Sequence, residues 1–125
     1  MPWHLTTVEY TREIKRVLTP EGIYTLNVID FNDRDFVRSA TMTLREVFGH
    51  VALFAPNSYI NGSGGGNYVL VASENPIDIP AIEARVRQRG GSEVGIDDEQ
   101  LTSFAGDAFI LTDDFAPVDQ MLGIP

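Results

Sequence analysis

One segment, residues 23–29, constrains the fold more than any other part of this 125-residue chain. It reads Ile-Tyr-Thr-Leu-Asn-Val-Ile, which is β-branched, aromatic and almost continuously apolar. That composition is typical of a strand covered on both faces, as in a parallel sheet between two layers of helices. A parallel strand needs an earlier strand beside it, with a crossover helix between them. Because a helix is the first element predicted here, we expect the second half of a doubly wound α/β sheet.

Helical patterns are found on both sides of this strand. Residues 6–9 have the spacing of a capping box, with the Thr6 hydroxyl at the cap and the Glu9 carboxylate three residues on. An apolar period follows them, and residues 36–48 carry a second apolar stripe. Further along, Pro80 opens a third predicted helix and Asp97 caps a short fourth one.

Two more strands are predicted, at residues 50–55 and 68–72. Residues 56–67 between them are rich in glycine, asparagine and serine, and they contain too few helix formers for a crossover helix. We therefore expect these two strands to be antiparallel neighbours, which makes the predicted sheet a mixed one. No repeat or linker is found, so residues 1–125 are predicted to form a single partial domain.

Composition and charge narrow the possible functions. Nine Lys and Arg residues stand against 18 Asp and Glu, and the net charge of −9 disfavours nucleic acid as a partner. No apolar run reaches the length of about 18 residues that spans a membrane, so no membrane contact is expected from this segment. The absence of cysteine and of a secretory signal favours the cytoplasm.

No motif for phosphate, metal or nucleophilic chemistry is found. Residues 62–66 are glycine-rich but lie between two predicted strands, whereas a phosphate cradle needs a helix N-terminus after it. His4 and His50 lack the spacing of metal ligands, and no Ser-His-Asp arrangement can be assembled from them. We therefore assign no catalytic, cofactor-binding or metal-binding residue.

Asp30 is the acid best placed to bind a ligand, because open α/β sheets bind ligands at the carboxyl ends of their strands. Asp33, three residues later, is interpreted as a helix cap. Trp3 and His4 precede the first helix, where they fit either the lining of a site or a hydrophobic staple.

Two stretches resemble the spermidine synthase-like family. The first is Pro-Trp-His-Leu-Thr-Thr at residues 2–7, continued by residues 17–27, and the second is residues 111–119, similar to the TDDxxPVD ending common in that family. The resemblance implies a Rossmann-like methyltransferase fold whose seven-stranded sheet ends in an antiparallel pair. It also implies transfer of an aminopropyl group from decarboxylated S-adenosylmethionine to an amine such as putrescine.

The resemblance also assigns residues to the amine site. Asn27 stands where polyamine synthases usually have a glutamine, so an amide is retained on a side chain one methylene shorter. Tyr59 falls where the family has a Tyr-Pro-Ser-Gly segment, which reads Tyr-Ile-Asn-Gly here. Trp3 and His4 fall in the loop that covers the family's active site. With Asp30, these are the predicted substrate-binding residues.

In the family, the glycine-rich nucleoside-binding turn, the ribose-binding acid and the aspartate that acts on the amine all precede the first helix of this chain. We therefore expect the C-terminal portion of a transferase, inactive as an isolated chain and binding no cofactor by itself. The alternatives are a non-catalytic structural or interaction domain, part of a related S-adenosylmethionine-dependent methyltransferase, or an unrelated small α/β binding module. An isolated half-sheet exposes an unpaired edge and an apolar face, which predicts a homo-oligomer.

Overall fold

The computed structural model describes residues 7–30, 35–60, 65–106, 108 and 110–112. Helices and strands alternate along this part of the chain. Their bounds are α1 Val8–Val17, β1 Ile23–Asp30, α2 Asp35–Val47, β2 His50–Pro56, α3 Asn57–Ile60, β3 Gly66–Ser73, α4 Ile79–Gln88, β4 Glu93–Ile96 and α5 Asp98–Ala105. The helices predicted around Pro80 and after Asp97 are confirmed as α4 and α5, whereas α3 and β4 were not predicted.

The four strands form one sheet in the order β1-β3-β2-β4. The predicted antiparallel pairing of the second and third strands is confirmed, since β2 and β3 pair from His50↔Ser73 to Phe54↔Val69. The prediction of a mixed sheet is wrong for the described strands, in which every neighbouring pair is antiparallel. The reason is that β3 returns between β1 and β2 and separates these two strands, which run in the same direction.

β1 does not have the two covered faces that its apolar sequence predicts. Its residues alternate, with Leu26 and Val28 buried while Ile23 and Ile29 are 60% and 62% exposed. Among the described strands β1 pairs with β3 alone, so it forms one edge of the sheet. In the described part of the chain, β1 therefore has one unpaired edge and exposes two isoleucines beside Thr25 and Asn27.

α1 begins one residue later than the capping-box spacing predicts. The N-cap is Thr7 rather than Thr6, and its hydroxyl accepts a hydrogen bond of 3.3 Å from the backbone N–H of Tyr10. Glu9 consequently lies in the first turn of the helix, where a carboxylate complements the helix dipole.

Helices pack on both faces of the sheet, with very different coverage. On the face that we call the core face, the main hydrophobic cluster lies beneath α1, α2 and α5; it includes Leu26, Val28, Phe36, Leu44, Leu53, Tyr68, Leu70, Leu101 and Phe104. On the opposite face, which we call the α4 face, a smaller cluster of Ala52, Phe54 and Val71 contacts Ile79 and Ile82 of α4. No residue of α4 is buried, so this helix leaves cavities beside it.

In the described part of the chain, no helix has the length and apolar character needed to cross a membrane.

Candidate functional site

The carboxyl ends of β1 and β2 lie at the same end of the sheet, with the beginning of β3 between them. Asp30 at the end of β1 is opposite Gly66, and α3 follows the last residue of β2 directly. We call this the carboxyl end of the sheet. Open α/β sheets bind ligands at this end, so it is where the predicted substrate-binding residues are expected.

Asp30 is buried at this end and points to the core face. Its side chain is fully buried, and its Oδ2 accepts a hydrogen bond of 2.9 Å from the backbone N–H of Val37 in the first turn of α2. The carboxylate thus satisfies one of the helix N–H groups that have no partner within the helix. This contact gives Asp30 a structural role in holding the start of α2.

Asn27 lies on the α4 face instead, three residues before Asp30. It is exposed and is directly opposite Val69 of β3. Residues paired in this way project to the same face of an antiparallel sheet. Asn27 and Asp30, both predicted to bind substrate, therefore lie on opposite faces, because they are three positions apart on a strand whose side chains alternate between faces.

Tyr59 of α3 lies across the carboxyl end of the sheet. Its ring centroid is 5.8 Å from that of Tyr68 on the core face, while its side chain also lines a cavity on the α4 face. Gly66 makes this position possible, because a Cβ on Gly66 would lie only 3.1 Å from the Tyr59 hydroxyl. A larger residue at position 66 would displace the tyrosine ring.

The cavity beside Tyr59, which we call the α4 cavity, has a volume of about 450 Å³. That size lies within the range of ligand pockets, about 300–1,000 Å³. Its apolar lining comes from β2, β3 and α4, namely Phe54, Val69, Val71, Ile82 and Val86, and its polar lining from Tyr59, Asn67, Arg89 and Glu93. Tyr59 lines this cavity directly, whereas Asn27 does not line it and lies on the neighbouring strand, opposite the lining residue Val69.

The polar groups of the α4 cavity gather at the carboxyl end of the sheet. Glu93 is opposite Pro56, the last residue of β2, and Asn67 is the second residue of β3. Arg89 is the C-cap of α4 and is joined to Glu93 by a short turn containing Gly90 and Gly91. The cavity therefore has a polar mouth and an apolar interior.

Arg89 and Glu93 contribute opposite charges to this mouth without pairing. Within the described residues, neither side chain makes an ion pair within 4.0 Å or a side-chain hydrogen bond. Gly91 leaves space for the carboxylate, because a Cβ there would lie 2.5 Å from Glu93 Oε2 and 2.7 Å from Val86. Both charges are thus available to a ligand.

The sequence prediction missed Arg89, Glu93 and Asn67. An arginine at the end of a helix complements the helix dipole, so the position of Arg89 in the sequence gives no sign of a binding role. The available signal was the short alternation Glu-Val-Gly-Ile after the paired glycines, which is the sequence of β4. Without β4, nothing in the sequence places residue 93 beside β2.

Of the tryptophan and histidines considered in the sequence analysis, the structure describes His50 alone. Trp3 and His4 lie outside the described residues. His50 begins β2 and is half-buried. Among the described residues, no group of three His, Cys, Asp or Glu side chains could hold a metal ion.

A second cavity of about 510 Å³ lies on the other side of α4, near the beginning of β1. Its lining includes Ile23, Ser73, Asp78 and Arg85. The Asp78 carboxylate is already engaged, since its Oδ1 accepts a hydrogen bond of 3.1 Å from the N–H of Ala81 at the start of α4. This cavity shares Val71 and Ile82 with the α4 cavity but contains none of the predicted site residues.

One solved structure is similar to nearly the whole of this chain. It is the crystal structure of a probable spermidine synthase from Corynebacterium glutamicum, with a TM-score of 0.81 and 27% sequence identity. The similarity covers 94% of this chain and 44% of that one, so this chain spans less than half the length of that protein. No protein-family model and no curated protein matches the chain. The fold is therefore similar to part of a spermidine synthase, in agreement with the resemblance seen in the sequence.

Proposed function

We propose that this chain forms the C-terminal part of a spermidine synthase-like transferase and supplies the side of the active site that holds the acceptor amine. One observation carries the proposal. Tyr59, which the family resemblance assigns to the amine, lines a cavity at the carboxyl end of the sheet, and Asn27, assigned in the same way, is opposite the lining residue Val69 on the neighbouring strand.

The reaction sets clear requirements for this side of the site. A neutral amine attacks a carbon next to the sulfonium of decarboxylated S-adenosylmethionine, so that a C–N bond forms, a C–S bond breaks and a thioether leaves. The amine nitrogen then loses a proton to a base. The residues that bind the acceptor must orient its lone pair in line with the sulfonium and hold it there.

The described residues meet the part of these requirements that concerns the acceptor. The Asn27 amide oxygen can accept a hydrogen bond from an amine N–H, which fixes the direction of the nitrogen lone pair. Tyr59 offers a ring face and a hydroxyl at the cavity mouth, and its ring is fixed by contact with Tyr68. Asp30 supports the site indirectly, because it holds the first turn of α2 at the same end of the sheet.

The test is an activity assay on the protein as its gene encodes it, including any residues upstream of Met1. We expect mass spectrometry to detect an amine that has gained one aminopropyl group from decarboxylated S-adenosylmethionine. Methyl transfer from S-adenosylmethionine instead would identify the related methyltransferase activity. An enzyme that transfers neither group to any amine would contradict the proposal.

Two variants test the assigned residues within that assay. Asn27→Ala and Tyr59→Ala should each raise the KM for the amine about tenfold, since each removes roughly one hydrogen bond to it. Gln100→Ala is the matched control, because Gln100 is an exposed amide side chain on α5 and lines neither of the two cavities. An unchanged amine KM in both variants would exclude these residues from the amine site.

A second candidate function, as a non-catalytic interaction domain, is favoured by the apolar surface of the molecule. Ile23 and Ile29 are 60% and 62% exposed, and β1 forms an edge of the described sheet. Such an edge can pair with a strand of another chain. A stable complex in a protein without transfer activity would support this candidate over the first.

A further inference from the structure

We propose that the α4 cavity binds an aliphatic α-amino acid, with its charged ammonium and carboxylate groups at the mouth and its side chain in the apolar interior. This inference goes beyond the proposed function and does not make the amino acid the acceptor, because an ammonium nitrogen has no lone pair for the transfer. As a statement about binding, it rests only on the charges and the lining of the cavity.

The charges at the mouth favour a ligand that carries both signs. Arg89 and Glu93 line the same cavity and are not paired with each other or with other described side chains. A diamine would place a positive charge near Arg89, and a dicarboxylate would place a negative charge near Glu93. A zwitterion can satisfy both groups, because the guanidinium can bind a carboxylate with two hydrogen bonds while the glutamate accepts from an ammonium.

The positions of Arg89 and Glu93 in the cavity lining favour a ligand whose two charges are close together. Glu93 is opposite Pro56 at the carboxyl end of β2, and Arg89 is only four residues before it. Both are therefore near one end of the cavity, together with Tyr59 and Asn67. An α-amino acid carries its two charges on neighbouring groups, whereas a long ω-amino acid would separate them.

The interior of the cavity favours an aliphatic side chain on that ligand. Phe54 and Val71 form part of the hydrophobic cluster of the α4 face, and Ile82 packs against it. These three residues form the apolar part of the cavity lining, together with Val69 and Val86. A branched or linear hydrocarbon chain would be removed from water there, which is favourable in proportion to the buried apolar area.

The experiment is isothermal titration calorimetry on the full 125-residue chain with four probes: leucine, pentylamine, hexanoate and putrescine. We expect leucine to bind with a Kd of about 1 mM, and the three other probes to bind at least about tenfold more weakly, because each lacks one of the two charges or the apolar group. Equal or tighter binding of putrescine would overturn the inference, and so would the absence of leucine binding.

Variants link the binding to the two charged residues. Arg89→Gln and Glu93→Gln should each weaken leucine binding about tenfold, because each removes one charge-assisted contact. Arg87→Gln and Glu99→Gln are the matched controls, since both side chains are exposed and neither lines the cavity. Nitrogen–proton NMR spectra would show that each variant is folded. Equal affinity in the test and control variants would overturn the inference.

The amino-acid site and the proposed transferase function can succeed or fail independently in these tests. Transfer to putrescine by the gene-encoded protein, with no leucine binding by the chain, would support the transferase and reject the amino-acid site. Leucine binding that depends on Arg89 and Glu93, with no transfer to any amine, would support the site and reject the transferase.

Discussion

At the scale of single residues, the Asp30 carboxylate was predicted to bind substrate, and the structure gives it a contact that holds the start of α2. Its Oδ2 accepts the N–H of Val37, and both side chains are fully buried. We expect Asp30→Ala to lower the free energy of unfolding by about 1–3 kcal/mol, because a buried N–H then loses its acceptor. Asp30→Asn should cost less, since the amide oxygen can still accept. Urea denaturation measures both, and equal stability of Asp30→Ala and the wild type would contradict this role.

The ion pair between Lys15 and Glu74 gives a prediction about pH. Lys15 Nζ is 2.6 Å from Glu74 Oε1, and this hydrogen bond is the main reason why the pKa of Glu74 is lowered. Lys15 also donates to the backbone oxygen of Val47 at 3.0 Å, so the pair ties α1 to the end of α2 and to the residue after β3.

Because the pKa of Glu74 is lower in the folded state, its stabilising contribution is present above the unfolded pKa. It is lost as the pH falls through the folded pKa. Glu74→Gln should therefore reduce the urea midpoint slightly at neutral pH, and this difference should disappear below about pH 4, where carboxyl groups become protonated. The effect is small because both side chains are more than 40% exposed. A difference that persists unchanged in acid would contradict the assignment.

Part of the site could be predicted at this scale and part could not. Asn27 and Tyr59 were predicted from local sequence resemblance; Tyr59 lines the α4 cavity, and Asn27 is opposite its lining residue Val69. Arg89 and Glu93 were not predicted, because their position depends on β4 pairing with β2, about forty residues earlier in the chain. Contacts between distant segments leave no periodic signal in one sequence.

At the scale of elements, the four longer helices and the three longer strands could be predicted, since each has a clear apolar period or run. The burial of β1 could not. A run of β-branched residues is compatible with a strand covered on one face or on both. The only sign of a face open to water was the placement of Thr25 and Asn27 at alternate positions. β4 has four residues, which is too short for its alternation to stand out.

The packing of β4 against α4 depends on the absence of a side chain at Gly95. A Cβ there would lie 2.5 Å from Phe54 Cε1 and 2.8 Å from Ile79 Cγ2. The Gly95 N–H also donates to Glu83 Oε2 at 2.8 Å, which joins β4 to the middle of α4. The two elements that enclose the α4 cavity are thus fixed to each other at this point.

Gly95→Ala should therefore lower the free energy of unfolding by about 1–3 kcal/mol, as overpacking does in well-packed regions. It should also reduce ligand binding in the α4 cavity, because Phe54 lines it. Ser92→Ala is the control, since Ser92 is exposed in the turn before β4. Thermal unfolding measures the change, and a Gly95→Ala variant with wild-type stability would show that α4 and β4 are packed less closely than described.

At the scale of the whole molecule, the uncovered part of the α4 face predicts self-association. Ile23 and Ile29 are largely exposed on β1, which has no charged residue other than the buried Asp30 to discourage pairing at its edge. We expect sedimentation velocity to show dimers or larger species that increase with protein concentration. Added salt should promote them, because the chain carries a net charge of −9.

Ile29→Lys should reduce this association, because a charge on the edge strand opposes pairing with another strand. Val17→Lys is the matched control, since Val17 is 67% exposed but lies on α1. A wild-type chain that remains monomeric at all concentrations would reject the prediction, as would equal effects of the two variants.

The central claim is that an amine binds on the α4 face at the carboxyl end of the sheet. The most direct measurement is a nitrogen–proton NMR titration of the labelled chain with leucine and, separately, with putrescine. For whichever ligand binds, we predict that the largest shifts occur at Asn27, Tyr59, Val69, Arg89 and Glu93. Shifts centred on the second cavity around Asp78 and Arg85, or the absence of shifts with both ligands, would contradict the claim.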